Sequence, residues 1–546
     1  MYLAFQNSAK MAKLDLDALI PREEFSISGD SKQGQTFEKL SVKDLTENSF
    51  IYPLLKKPIF QRETNEWDEI KIGDFIKSLL NGDLIPSIIL WRSQTGLLFV
   101  IDGAHRLSAL LAWLKDDYGD GPTSLKFYSH YINSEKKEKA NKVRNYINRN
   151  IGSFNDIVQS VNDDKSIYYN KATGLTNSIT VQWVLGDAKI AENSFFRINR
   201  QGVALNNTEI KLLQSRKKGN CIAARAISKA ASGYKYWSEF SAINQAEIEK
   251  MSKEINGILF NPPLTNPIKS IDNLPVAGKS EPSQALPLIL DFINIINNIP
   301  FDFNEILINK KKTKTHGDFI LNDDSTGEYC VKYLKEARKI AWIINSMHSS
   351  SLGLHPIVYF YTLDGRHKPV SFYAIVGLII DMNKDNSFNQ FLDVRPKFED
   401  LLLKYDYLIQ AIYRKYRQGI DSYKHIKNFF SKCIELLLTN LTIEDTVSKA
   451  ILDKNFNYLE INNKNENQIT SDDFTDNRKS AIIINKSLPK ALKCEICHGL
   501  IDPKSITIDH IDDKKNGGLG NIENGQIAHP YCNSTYKEYI RNKKNK

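Results

Sequence analysis

Residues 494–537 read CEICHGLIDPKSITIDHIDDKKNGGLGNIENGQIAHPYCNSTYK, and this stretch decides how the end of the chain folds. Two residues separate Cys494 from Cys497, and two separate His529 from Cys532. Two knuckles of this kind suit one tetrahedral zinc ion held by three thiolates and one imidazole. Four protein ligands leave no open position, so such a zinc is structural. His498 is the other candidate for the fourth ligand; the spacing to Cys532 favours His529.

A different chemistry lies between the knuckles. The alternation of Ser505-Ile506-Thr507-Ile508-Asp509-His510-Ile511 predicts a strand. Asn516-Gly517-Gly518 predicts a turn, and the run from Thr535 to Lys544 a helix. A finger of two strands and a helix brings Asp509, His510 and Asn533 near one another. A neutral imidazole suits the task of activating water near neutral pH. A carboxylate and an amide oxygen are hard ligands suited to Mg2+ or Mn2+.

The CxxC pair, Asp509-His510, Gly517-Gly518, Asn524-Gly525-Gln526, the second knuckle and Cys532-Asn533 together resemble the HNH nuclease family with its ββα-metal finger. The resemblance implies that His510 is the general base and that Asp509 and Asn533 hold the catalytic divalent metal. It implies that Asn524 orients the histidine through the backbone and that Lys537 meets a phosphate. Two positions depart from the family pattern. His529 stands where cysteine is commoner, and three residues rather than two separate Asn533 from Lys537. Basic residues flank the segment (Lys486, Lys490 and Lys493 before it; Arg541, Lys543 and Lys544 after it) and suit a phosphate backbone.

The other end of the chain carries a second signal. Val100-Ile101-Asp102-Gly103-Ala104-His105-Arg106 sits where a predicted strand, LLFVID, hands over to a predicted helix, AHRLSALLAWLKDD. Gly103 permits the tight turn. The helix start offers free N–H groups to a phosphate, and Arg106 can grip one bidentately. Upstream, LIPSIILW predicts a strand and Gln94-Thr95-Gly96 a turn. Trp67, Ile70, Phe75, Ile76, Leu79 and Leu80 recur at helical spacing up to Asn81-Gly82.

Three blocks resemble the N-terminal domain of GmrSD-type restriction endonucleases, a ParB/sulfiredoxin-like fold. They are Phe60-Gln61-Arg62 with Trp67, Asp102-Gly103-Ala104-His105-Arg106, and Phe196-Arg197-Ile198-Asn199-Arg200-Gln201-Gly202 with Leu205-Asn206 and Glu209. The resemblance implies binding and hydrolysis of a nucleoside triphosphate coupled to a nuclease, in defence against foreign DNA. It makes Gln61, Arg62, Asp102, Gly103, His105, Arg106, Arg197 and Asn199 the nucleotide-binding candidates. Ala104 and His105 stand where the family carries Gln-Gln, giving the Asp-Gly-x-His-Arg form of related ParB-like proteins.

The chain as a whole bounds these readings. Its 546 residues exceed one core, and 41% hydrophobic with 25% charged residues is ordinary for a soluble globular protein. The net charge of +9 permits a polyanionic partner. The N-terminus has no apolar run of signal-peptide type, and SFYAIVGLIIDM is too short to span a bilayer. A cytoplasmic location and no membrane partner are expected. Of the six cysteines, Cys221, Cys330 and Cys433 read as core residues.

The expectation is a multidomain chain, α/β plus mostly α. A ParB/sulfiredoxin-like domain spans 1–210, a helical domain 211–452, a polar linker 453–482 and a zinc-stapled ββα-metal HNH domain 483–546. The helical domain includes VKYLKEARKIAWIINSM and FEDLLLKYDYLIQAIYRKY. The expected activity is metal-dependent DNA cleavage under nucleotide control, with a homo-oligomer called for if one site per chain makes double-strand cuts. Two other classes stay open. One is a DNA-binding regulator with a structural finger, against which intact Asp509, His510 and Asn533 argue. The other is an NTPase whose activity resides in the N-terminal domain alone.

Overall fold

Along the strand Leu98–Asp102, Leu98 and Val100 enter one hydrophobic cluster while Phe99 and Ile101 enter another. A strand's side chains alternate between faces, so a run apolar on both must be covered on both. The computed structural model meets that requirement. It describes the chain except residues 1–12, 25–35, 60, 62, 66, 129–131, 133, 202–211, 213–214, 301–320, 417–419, 462–472 and 545–546.

Six strands form the sheet: β1 Arg22–Glu23, β2 Lys39–Ser41, β3 Leu55–Pro58, β4 Ile88–Arg92, β5 Leu98–Asp102 and β6 Ser178–Val184, in the order β1-β3-β5-β4-β6-β2. The β4–β5 and β2–β6 pairs are antiparallel; the others are parallel. Helices Glu69–Asn81, Ala104–Lys115 and Ser134–Asn150 cover one face, burying Ile72, Ile76, Leu107, Leu111, Val143 and Ile147 against Leu90 and Val100. Helix Ala188–Gln201 covers the other, setting Ala191 and Phe195 against Trp91, Phe99 and Ile101. Each fully buried aliphatic side chain contributes roughly 1.5–3 kcal/mol.

The expected local elements are present. The first helix ends at Gly82, which takes the left-handed conformation at φ 75°. Ile70, counted in its apolar stripe, is exposed, and Trp67 lies before the helix begins at Glu69.

The chain divides into two compact units: residues up to Arg216 with Ser232–Tyr234, and Lys217–Ala231 with Lys235–Lys546. The second is helical and includes Ala242–Phe260, Pro282–Ile296, Glu328–Ile344, Pro369–Asp385, Phe388–Lys404 and Ser422–Leu438. FEDLLLKYDYLIQAIYRKY is divided between two helices. The first ends at Lys404, Tyr405 leaves helical geometry, and Asp406–Lys415 begins anew.

The C-terminal finger belongs to this same unit. Helix Asp476–Ser487 crosses the expected boundary at residue 483, capped by Thr475 Oγ1, which accepts from the Arg478 N–H. Its buried Ser480 Oγ accepts the Ile268 N–H at 3.0 Å, tying the segment to the helices. Polar composition around it marks solvent on the outer face, while Ser480 and Ile484 form the buried, docking side. Among the described residues no helix is long and apolar enough to cross a membrane.

At the β5–helix turn, Gly103 sits at φ 95°, and a Cβ there would lie 2.9 Å from Ile88 Cγ1. Gly103→Ala should destabilise the first unit by about 1–3 kcal/mol. Denaturant unfolding followed by circular dichroism checks this.

Candidate active site and metal centre

Strand β7, Thr507–His510, pairs antiparallel with β8, Gly525–Ala528, so that Asp509 faces Gln526 and His510 faces Gly525. A π-helical turn, Cys532–Tyr536, then leads into the helix Lys537–Lys544. These elements form the expected finger of two strands and a helix.

The hairpin and the helical turn converge on four buried ligand atoms. Those of Cys494, Cys497, His529 and Cys532 all lie within 4.8 Å of one another. His498, the rival ligand, is exposed in the left-handed conformation at φ 60° and lies outside the cluster. The carbonyl of Leu500 lies 3.0 Å from His529 Nε2 and can only accept, so Nε2 carries the proton. That leaves the Nδ1 lone pair facing Cys497 Sγ at 3.4 Å and Cys532 Sγ at 3.7 Å. The tautomer is the one a metal-ligating Nδ1 requires.

Electrostatics point the same way. Hydrogen bonds from Cys497 and Cys532 pull the Cys494 thiol far down. Burial pushes Cys497 up to about 12 and Cys532 well above its ordinary value. Three thiols buried this close together would be stabilised as thiolates by a cation at their centre. Burial, then the Arg395 charge, lowers His529, which keeps it neutral and able to ligate. The donor set fits a metal such as zinc.

One residue the sequence reading missed stands beside this cluster. Arg395, wholly buried, comes from the helix Phe388–Lys404. Its Nε donates to Glu399 Oε1 at 2.7 Å, Nη1 to Leu352 O at 2.5 Å, and Nη2 to Gly353 O at 3.1 Å and Leu500 O at 3.2 Å. Nη1 also lies 3.4 Å from His529 Nδ1. Glu399 Oε2 accepts the Leu500 N–H at 2.7 Å. A Cβ on Gly499 would fall 2.4 Å from Arg395 Nε, so only glycine admits the guanidinium. Nothing in the sequence around Arg395 signals this role.

Asp509 is 6% exposed. Its Oδ2 accepts from Gln526 Nε2 at 2.8 Å and pairs with Lys537 Nζ at 2.9 Å. Lys537 also pairs with Asp513 Oδ1 at 2.8 Å and donates to the His510 backbone oxygen. Arg541 and Lys537 hold the Asp513 carboxyl far below the usual carboxylate range. Asn533 Nδ2 donates to Thr507 Oγ1 at 3.3 Å. Thr507 and Asp509 are two apart on β7 and share a face, so Asn533 reaches the strand on the face that carries Asp509. The half-buried His510 ends the strand. Asn524 pins the loop that follows. Its Oδ1 accepts the Asp512 N–H at 2.7 Å, Nδ2 donates to Leu519 O at 2.7 Å, and its carbonyl accepts the Ile511 N–H at 2.9 Å. Gln526 and Asp513 were not singled out from sequence, though Gln526 lies inside the Asn-x-Gln motif.

In the first unit, Asp102 ends β5 and Gly103 caps the helix Ala104–Lys115 with no side-chain cap bond. Arg106 Nη2 donates to Asp102 Oδ2 at 2.7 Å and to Ser87 O at 3.1 Å, so this guanidinium already has a carboxylate. The His105 ring stacks on Trp67, centroids 6.1 Å apart. Gln61 is buried, its backbone oxygen held by Arg22 Nη1 at 2.5 Å. Arg22 and Lys57 both pair with buried Asp17, at 2.8 and 2.6 Å. Burial lowers Lys57 to about 8. Gln61 Oε1 and Arg106 Nε are buried without a hydrogen-bond partner among the described residues. No hydrogen bond among those residues joins Gln61 to Asp102 or Arg106. Arg197 is exposed on the helix Ala188–Gln201; Arg62, the Asn199 side chain, Gly202, Leu205, Asn206 and Glu209 lie outside the described residues.

Comparison with known proteins agrees with this division. Residues 42–215 match the family model for the GmrSD restriction endonuclease, N-terminal domain, and residues 494–538 that for the HNH endonuclease. No curated protein and no solved structure matches the chain. The chain thus joins a GmrSD-type N-terminal domain to a C-terminal HNH endonuclease domain, a combination that supports a restriction-type nuclease acting on DNA.

Arg395→Met should weaken zinc retention by about 10–100-fold. Competition with a chromogenic chelator on the intact chain measures it. Cys532→Ala should abolish stoichiometric zinc in elemental analysis.

Proposed function

We propose that the chain is a divalent-metal-dependent DNA endonuclease of the restriction type, with its chemistry in the finger and its control in a nucleotide-binding N-terminal unit. What supports the reading is that Asp509 and His510 end one strand of the hairpin and Asn533, in the helical turn, donates to Thr507 of that strand, in a finger that also carries the Cys3His cluster. Asp509 and the Asn533 amide oxygen would hold Mg2+ or Mn2+, and the cluster a structural zinc. The divalent cation supplies electrostatic stabilisation to the departing phosphodiester oxygen.

The remaining steps belong to side chains. His510 takes a proton on a ring nitrogen from the attacking water. Asn524 fixes the backbone just beyond it, so the imidazole approaches from a set direction. Gln526 holds one oxygen of Asp509 and orients the carboxylate. Lys537 serves the phosphate. In the N-terminal unit, Asp102, Gly103, His105 and Arg106 form the proposed nucleotide site, with Gln61, Arg62, Arg197 and Asn199 as further contacts. The buried polar atoms of Gln61 and Arg106 that lack hydrogen-bond partners among the described residues favour this assignment, because such atoms are costly unless a ligand meets them. The setting is restriction of foreign DNA by a cytoplasmic enzyme.

Supercoiled plasmid incubated with Mg2+ or Mn2+ tests the reading. Nicking or linearisation is expected from the wild type, and His510→Ala should lower its rate about 10²–10⁴-fold. A nucleoside triphosphate should change the wild-type rate, and Arg106→Ala should remove that response while leaving zinc content intact. Equal cleavage by wild type and His510→Ala would overturn the assignment of the finger as the catalyst.

A further inference from the structure

The Asp509 carboxylate already carries a cation. Lys537 begins the last helix, its side chain 12% exposed, and reaches back across the hairpin to three oxygens. They are Asp509 Oδ2 at 2.9 Å, Asp513 Oδ1 at 2.8 Å and the backbone oxygen of His510. An ammonium has three N–H donors, and here each finds an acceptor. Two carboxylates and a carbonyl are also the hard oxygen ligands that a divalent cation takes.

We propose that Lys537 is the resident cation of the Asp509 carboxylate, that a divalent ion competes with it there, and that Asp513 is the berth that keeps the displaced ammonium beside the site. The proposal rests on the nuclease reading of the finger and adds to it a competition and a residue, Asp513.

The physical argument has three parts. Asp509 is nearly buried, and a carboxylate in that setting is costly without a positive partner. Lys537 supplies that partner before an ion binds. Like charges repel strongly at short range in a half-buried site, so an ion on either oxygen of Asp509 works against an ammonium on Oδ2. Asp513 offers an alternative: its side chain, 18% exposed, already draws Lys537, and Arg541 Nη2 anchors it at 3.2 Å. An ammonium released by Asp509 therefore stays within reach of a phosphate instead of swinging into solvent. Lys537 then meets phosphate only after the ion has arrived, which orders metal before substrate.

Titration calorimetry of Mn2+ into the full-length, zinc-loaded chain at low ionic strength and without DNA tests this. Lys537→Met should bind Mn2+ about threefold tighter or more, the size of a partly exposed ion pair. Lys537→Arg, which keeps the charge, should stay near wild type. Asp513→Asn confines the ammonium to Asp509 and should weaken Mn2+ binding. Lys537→Met with affinity equal to or below wild type overturns the competition, and Asp513→Asn with affinity equal to or above wild type overturns the berth. Asp509→Asn separates the two levels of argument. It should lose Mn2+ binding; wild-type binding by that variant would mean that the metal assignment itself is wrong.

Discussion

A guanidinium with no access to water sits where the helical layer meets the finger, and the C-terminal half of the molecule is arranged to satisfy it. Arg395 is paired with Glu399 one helical turn away, and its remaining N–H groups reach carbonyls of Leu352, Gly353 and Leu500. Glu399 in turn accepts from Tyr359 Oη and from the Leu500 N–H. A buried pair of this kind adds little net stability over an apolar one of equal volume, but removing one partner costs about 3–5 kcal/mol because a bare charge is left behind. What it secures is register. Leu500 follows the first knuckle directly and Gly353 touches His529, so the same guanidinium fixes both halves of the thiolate cluster against the helices.

The finger is therefore anchored at several further points. Ser351 Oγ and Ser505 Oγ lie 2.9 Å apart, the Tyr531 N–H donates to Ser351 O, and Tyr536 Oη donates to Asp393. Small domains need a staple, and this one has two: the cluster inside and the helical wall outside. Rigid support of this kind suits the proposed site, since Asp509 and Asn533 come from different elements, a strand and a helical turn, whose angle must be kept.

What could be read in the sequence was what is written locally. The CxxC and HxxC spacings predict a cluster because both knuckles are short turns. The strand alternation at 505–511 and 98–102 predicts faces because the period is two. Gly82 and Gly103 mark turns because the backbone there is left-handed. The choice between His498 and His529 was open in the residues and is decided by backbone conformation, which turns His498 outward. Arg395 was illegible, since an arginine on an amphipathic helix usually faces water and its partners lie far along the chain. The segment 453–482 was read by composition as a linker. Composition reports solvent on most faces of a segment but cannot register a few buried positions: Phe456 and Leu459 are buried near its start, and Ser480 with Ile484 docks Asp476–Ser487.

The two candidate sites share a device. Asp102 pairs with Arg106 and Asp509 pairs with Lys537, in each case an acid and a base of which the proposed ligand would recruit one. On the proposed reading the group arriving at Asp102 is an anion and would draw the base, whereas at Asp509 it is a cation and would draw the acid. The pairs are unequal. The Asp102 side chain is 37% exposed and that of Asp509 only 8%, so solvent weakens the first pair more than the second. An anion thus meets a loosely held Arg106, whereas an ion at the finger meets an ammonium that must be displaced. On the proposed reading the N-terminal site is the easier to fill and the finger the harder. That is the order a controlled nuclease needs, because the costly step then falls on the site that cuts.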